Sequence, residues 1–390
     1  MNLDSFILVV REIMAEFADR TGIVSSLKKP RRYLWTDSFA VCNFLELDHL
    51  TGDHQYRQLA LSLVGQVHDI LGRHRDGDLS ADCRPRWISD LEEEAGRKHP
   101  TIGGLRIGKE LNERRPDEPF DEHLEWDRDG QYYHYLTKWM HALSRVSLAS
   151  GDPIYSRWAI ELAKTAHAKF TYFPSSGGQK RMYWKMSVDL SYPLVSSMGH
   201  HDPLDGFITY MQLQAAAAKD LGKSSQHELG AEIVDIARIC EGKNWDTEDP
   251  LGLGELLSSA FRLSQLIIRG HHEQKGLVND LLEAAAVGLE SFMTSDPLNL
   301  PADYRLAFRE LGLSIGLHAV EKMQGLIGQI SEKHYTRGLK RLQRFIPISD
   351  IIEKFWLDPV QRSARSWIEH RDINMVMLAT SLAPDEYLSL

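Results

Sequence analysis

Two distant segments of the chain repeat one turn. Residues 50–60 read LTGDHQYRQLA and residues 149–159 read ASGDPIYSRWA. Each holds Gly-Asp, a tyrosine three residues after the aspartate and an alanine four residues beyond that. Glycine ends a helix in the left-handed region, and the aspartate caps the helix that follows. The unit duplicated here is therefore a helix–turn–helix, and a chain made of such units must bury its apolar faces by stacking hairpins.

The same grammar extends along the chain. Leu3, Phe6, Ile7, Val10, Ile13, Met14 and Phe17 lie at helical spacing. A basic loop with Lys28, Lys29, Arg31 and Arg32 leads to Trp35 and Asp37 and an apolar helix to about Leu50. Residues 130–149 and 154–170 flank the second Gly-Asp turn. Weaker copies follow: 204–221 with 226–240 around Gly222, 251–269 with 274–293 around Gly270, and 302–320 with about 322–344. A last apolar helix over 372–382 has no following partner and is paired with the N-terminal helix. No strand-like alternation stands out.

These patterns predict an all-α (α/α)6 toroid of about six helical hairpins with inner and outer helix rings, one domain over 1–390. The inner helices start near Asp37, Gly130, Leu204, Leu251, Ala302 and Asp372. Turns within hairpins are short (50–53, 150–153, 221–225, 270–273), whereas connections between them are long (75–129, 171–203, 345–371). In a closed ring the long connections share the face at the inner helix N-termini, with Gly52 and Gly151 at equivalent tips on the opposite face. Long loops on a rigid scaffold commonly carry function.

Composition excludes several classes. The net charge of −10 argues against a general nucleic-acid binder. Three dispersed cysteines (Cys42, Cys83, Cys240) offer neither a disulfide framework nor a cysteine zinc site. The apolar run Phe6–Val10 is too short for a signal or a membrane span. The expectation is a cytoplasmic protein with no cofactor, no metal, no nucleic-acid partner and no membrane partner.

The LTGDHQY and ASGDPIY turns among alternating helices resemble those of the six-hairpin glycosidase-like enzymes. That group includes the unsaturated glucuronyl and rhamnogalacturonyl hydrolases, and the N-acylglucosamine 2-epimerases share the toroid. Trp35-Thr36-Asp37, an apolar helix and Thr51-Gly52-Asp53 are similar to the opening hairpin of the glucuronyl hydrolases. The resemblance implies the toroid and a carbohydrate substrate. It transfers no catalytic residue, because neither the hydrolase aspartates nor the epimerase histidines align without a register shift.

Chemistry must therefore be sought in the residues themselves. The densest acid-and-aromatic stretch is 123–135, HLEWDRDGQYYHY, with Glu125, Asp127, Asp129, Trp126, Tyr132, Tyr133 and His134. Glycoside hydrolysis needs a carboxylic acid at the leaving oxygen and commonly a second carboxylate. Asp129 is equally suited to capping a helix from Gly130, and Asp127 to pairing with an arginine. A second cluster, Met198–Gly206, offers His200, His201, Asp202 and Asp205 at a helix start, where capping is the plainer role. Its His-His-Asp order lacks metal-site spacing. Trp184, Lys185 and Asp189 suit a binding wall or a packed loop. Trp35, Asp37 and Arg371, the last in Glu369–Asp372, stand before the first and last inner helices. Arg31, Arg32, Arg84, Arg86, Arg106, Arg114, Arg115 and Arg181 could read an anionic group or balance nearby acids.

The first expectation is thus a glycoside hydrolase acting on an oligosaccharide, an anionic one included. Asp127 or Asp129 would be the acid, assisted by Asp37, Asp202 or His201, and Trp35, Trp126, Tyr133, Trp184, Lys185, His200 and Arg371 would hold substrate. The alternatives are a sugar 2-epimerase or isomerase moving protons on His134, His200 or His201, and a non-catalytic glycan-binding or scaffold toroid.

Overall fold

The duplicated turn is built alike in both copies. Gly52 and Gly151 have φ of +67° and +73°, a conformation that glycine adopts without the Cβ penalty. Asp53 Oδ1 accepts from Gln55 N at 3.0 Å, and Asp152 Oδ1 from Ile154 N at 2.9 Å. Each aspartate thus forms the same local turn at the start of the next helix. Ala60 and Ala159 are both fully buried.

The structure is a computed structural model that describes residues 3–24, 29–75, 85–220, 228–271, 275–326, 328–330 and 333–390. Lys28, Cys83, Arg84 and the turn expected around Gly222 lie outside them. The chain divides into two compact units. The first comprises residues 1–17, 49–52 and 242–390, and the second residues 18–48 and 53–241. Helix α1 (Leu3–Thr21) belongs to the first unit as far as Phe17. Of the expected stripe it buries Val10, Ile13, Met14 and Phe17, while Phe6 and Ile7 are half-buried.

The second unit holds three hairpins, the first of them without its tip at residues 49–52. They are α2 (Leu34–Thr51) with α3 (Gln55–Leu71), α6 (Tyr133–Ser150) with α7 (Ile154–Phe170), and α8 (Asp202–Asp220) with α9 (Gly230–Cys240). Between them lie α4 (Glu93–Lys98) and α5 (Glu122–Asp127). The helices of a hairpin differ as two concentric layers require. From Leu34 to Asp48 every residue of α2 is buried, whereas α3 buries only Ala60, Leu63, Val64, Val67, His68 and Leu71. A helix buried all round belongs inside, and one buried along a single stripe belongs outside.

Two small antiparallel sheets join this unit, although no alternation marked them. One has the order β1 (Gln131–Tyr132), β4 (Lys185–Met186), β5 (Pro193–Val195), and the other pairs β2 (Thr171–Tyr172) with β3 (Arg181–Met182). Strands this short carry no readable period. The helix expected from Gly130 begins at Tyr133 instead. Gly130 has φ of +146°, and a Cβ there would lie 2.8 Å from Met186 O, so the residue is held extended against β4.

The first unit pairs α10 (Pro250–Ile268) with α11 (Lys275–Thr294) and α12 (Ala307–Gln324) with α13 (Lys333–Gln343). It also holds α14 (Pro347–Leu357), α15 (Arg365–Glu369), α16 (Arg371–Leu382) and α17 (Asp385–Leu388). The stretch 345–371, expected as a plain connection, is largely α14 and α15. Ile348, Ile352 and Trp356 recur every fourth residue and are buried against α12. Helices α10 and α12 approach glycine to glycine: a Cβ on Gly254 would sit 2.0 Å from Gly312 O. By length and composition α10 could cross a membrane, yet 67% of its apolar window is buried within the protein.

Candidate functional site

The expected acids separate by burial. Asp129 is fully buried. It accepts from Arg106 Nη1 at 2.8 Å, Gly108 N at 2.9 Å and Gly130 N at 3.1 Å, with Arg75 at 3.7 Å. The other guanidinium nitrogens of Arg106 donate to Arg73 O and Ile70 O, each at 3.0 Å. Asp129 therefore ties its loop to the end of α3, rather than capping α6 or reaching solvent. Glu125 is likewise buried, 2.8 Å from Lys185 Nζ and 3.1 Å from Arg114 Nε. Lys185 also donates to Glu125 O at 2.7 Å and Arg128 O at 2.8 Å. Burial lowers the Lys185 ammonium, and the Glu125 carboxylate opposes that shift.

Asp127, at the end of α5, is exposed. Arg128 turns away to pair with Glu118. Lys109 feels the Asp127 charge: burial lowers its pKa, while Asp127 and Asp129 hold it up.

Beside Asp127 an aromatic face is assembled from three chain segments. Pairing of β1 with β4 sets Tyr132 opposite Lys185, and Tyr133 N donates to Trp184 O at 3.4 Å. Trp184 is thereby carried to Trp126 (ring centroids 5.1 Å apart), Tyr132 (5.4 Å) and His134 (6.5 Å, nearly parallel). Tyr135 continues the face, 4.7 Å from His134 and 5.2 Å from Tyr132. Its hydroxyl meets that of Tyr33 at 2.7 Å, and Lys109 Nζ lies 5.4 Å from the Tyr33 ring. Burial pushes the Tyr33 hydroxyl up to about 12, against the pull of the Tyr135 hydrogen bond. Trp126 is 48% exposed, so the face opens to solvent at the Asp127 end.

His134 joins this face to the start of α8. Its side chain keeps 29% of its surface, and Nδ1 lies 3.7 Å from Asp202 Oδ1, too long for a hydrogen bond. That nitrogen is buried without a hydrogen-bond partner. Burial foremost, then the Lys138 charge, pulls the ring down to about 4, with Asp205 opposing. The imidazole is neutral near pH 7 and can take or pass a proton. Lys138 Nζ lies 3.2 Å from Asp205 Oδ1, and the Thr137 hydroxyl donates to the same carboxylate. His201 stands at the α8 start with its carbonyl accepting from Asp205 N at 3.0 Å, and His200 is exposed with its ring 4.6 Å from that of His201.

The structure thus brings Trp126, Asp127, His134, Trp184 and Asp202 into one continuous neighbourhood. Four other expected contacts, Tyr133, Lys185, Trp35 and Asp37, are out of reach of a solvent-borne ligand. Tyr133 is fully buried with its hydroxyl 2.9 Å from that of Tyr210. Lys185 is fully buried, and Trp35 is 4% exposed against Phe39. Asp37 is 1% exposed, accepts from Tyr33 N at 3.0 Å and lies 3.6 Å from Arg32. Arg371 belongs to the first unit, paired with Glu16. Tyr33, Tyr135 and Lys109 had not been singled out. Tyr33 stands two residues before Trp35 and Tyr135 next to His134, whereas Lys109 carries no sequence signal.

No protein-family model matches the sequence, and no curated protein does. Solved structures do resemble it. A GH76 α-mannanase of Bacteroides thetaiotaomicron matches with TM-score 0.56 and 9% identity, over 97% of this chain and 96% of that one. Cellobiose 2-epimerase from Spirochaeta thermophila matches with TM-score 0.47 and 14% identity, over 86% and 85%. A D-mannose isomerase matches with TM-score 0.44 and 13% identity, over 87% and 85%. The mannanase likeness spans nearly all of both chains and shows the fold class expected from the turns. The fold is thus an all-α (α/α)6 toroid, like that of the mannanase.

Proposed function

We propose that the protein is a carbohydrate-active enzyme, a single cytoplasmic toroid domain over 1–390 whose substrate is a small saccharide. The observation that carries this reading is the half-open aromatic face of Trp126, Trp184 and Tyr135, backed by the buried Tyr132, with an exposed carboxylate at one end and a neutral imidazole within it. Aromatic rings offer apolar faces to the CH surfaces of a sugar, and a few polar groups fix its orientation. In the first reading Asp127 is the acid–base of glycoside hydrolysis, with Asp202 and His134 handling the second proton transfer and His200 and His201 at the rim. Asp129, Glu125 and Lys185 hold the loops that present these groups.

A second reading, sugar 2-epimerisation or isomerisation, is favoured by His134 beside Asp202. A neutral imidazole next to a carboxylate can take a proton from carbon and return it. One experiment separates the two: incubation with neutral and uronic-acid mono- and oligosaccharides in deuterium oxide. Hydrolysis releases new reducing ends and leaves C2 unlabelled. Epimerisation or isomerisation without internal proton return incorporates deuterium at C2 and releases none. No product and no binding with any saccharide overturns both.

A further inference from the structure

The first unit contains a cavity of about 320 Å³ that the carbohydrate reading does not use. Its floor is Ile13 of α1, Trp367 of α15, and Met375 and Leu378 of α16, all but removed from water at 5%, 3%, 3% and 0% exposure. Trp367 is held by near-parallel packing on Trp356, ring centroids 5.6 Å apart. Three charged side chains stand at the wall: Arg362, Arg371 and Glu16. Arg371 is paired with Glu16. Arg362 is anchored by Nη2, which donates to Leu357 O at 3.1 Å, while its Nε is buried with no hydrogen-bond partner.

Two guanidiniums against one carboxylate leave one net positive charge over an apolar floor. Arg362 is already fixed at the wall by its bond to Leu357 O, so little side-chain freedom is lost when its guanidinium meets an anionic oxygen. The floor gives the hydroxyls of a sugar nothing to bond. We propose that this cavity is a binding site for a small amphiphilic monoanion, an aryl or alkyl carboxylate. The apolar tail would rest on Trp367 and Met375, and the head group would accept from Arg362 and Arg371. The volume lies at the lower end of the range for small-molecule sites.

The probe is 4-phenylbutyrate, titrated into the full chain by ligand-observed magnetic resonance, with 4-phenylbutan-1-ol and acetate as controls. The expected result is saturable one-to-one binding with Kd of about 1 mM or tighter, and much weaker binding of either control. Arg362→Gln should weaken the carboxylate by about tenfold, the loss of one charge-assisted hydrogen bond. Glu16→Gln should strengthen it by roughly two- to fivefold, because it removes the carboxylate that competes for Arg371. Circular dichroism establishes that each variant is folded, and if Arg362→Gln is not, the gain in Glu16→Gln decides. Trp184→Ala, in the aromatic face, should leave phenylbutyrate binding unchanged. Absence of binding, equal binding of the alcohol, indifference to both charge changes, or loss of binding in Trp184→Ala would each overturn the proposal.

Discussion

At the scale of single residues, burial sorts charges that look alike in the sequence. Glu125, Asp127 and Asp129 alternate within five residues, yet two are sealed in ion pairs and one faces water. What separates them lies far along the chain: Arg106 for Asp129, Lys185 and Arg114 for Glu125. Arg106 was visible only as one of many loop arginines, so its pairing was not legible. Arg106→Met leaves the buried Asp129 with only the distant Arg75 and backbone donors, and is expected to cost about 3 kcal/mol. Asp127→Asn changes an exposed side chain and should stay within about 0.5 kcal/mol of wild type. Urea unfolding of both variants checks this, and a small loss in Arg106→Met contradicts the role given to Asp129.

Histidines set a pH dependence at the same scale. Burial holds His68 at about 3 and, with help from the Lys138 charge, His134 at about 4. Both are neutral in the fold, whereas in the unfolded chain they take up a proton below about pH 6.5. Their stabilising share is therefore complete above about pH 6.5 and is lost as pH falls through the folded values. Trp139 Nε1 donates to His68 Nε2 at 3.1 Å, which requires that nitrogen unprotonated. His68→Gln retains an acceptor and should flatten the fall in urea midpoint between about pH 7 and about pH 4. Equal slopes in wild type and variant would contradict the assignment.

At the scale of elements, the hairpins were legible because a Gly-Asp turn is local chemistry. The φ of Gly151, the Asp152 side-chain turn and the buried Ala159 all lie within eleven consecutive residues, although the residue at the helix cap is Pro153 rather than the aspartate. The connections were not legible, because their order comes from distant partners. The amide of Gln131 alone accepts from Leu105 N at 2.8 Å and donates to Gly103 O at 3.0 Å and Val188 O at 2.6 Å. No period in the sequence announces such a staple, nor the two-residue strands it accompanies. Helix packing makes a sharper prediction. Gly254→Ala puts a methyl against Gly312 O, where α10 and α12 touch backbone to backbone. Forcing them apart should cost about 1–3 kcal/mol, read as a lower thermal midpoint. Gly230→Ala, whose Cβ meets nothing within 4 Å, is the control and should not lower it.

At the scale of the molecule, the two units offer different surfaces. The second presents an aromatic face with one exposed acid, and the first an apolar cavity with a cationic wall. The fold class followed from the turn repeat, but the working residues among the long connections depended on which acids the loops bury. The central claim is that Asp127, and not Asp129, does chemistry on a saccharide held by Trp126 and Trp184. The direct measurement is turnover and thermal midpoint for wild type, Asp127→Asn and Asp129→Asn on the saccharide that the wild type processes. The account predicts that Asp127→Asn keeps its midpoint and loses roughly two to four orders of magnitude in turnover, while Asp129→Asn loses midpoint first. Near-normal turnover in a folded Asp127→Asn would contradict it.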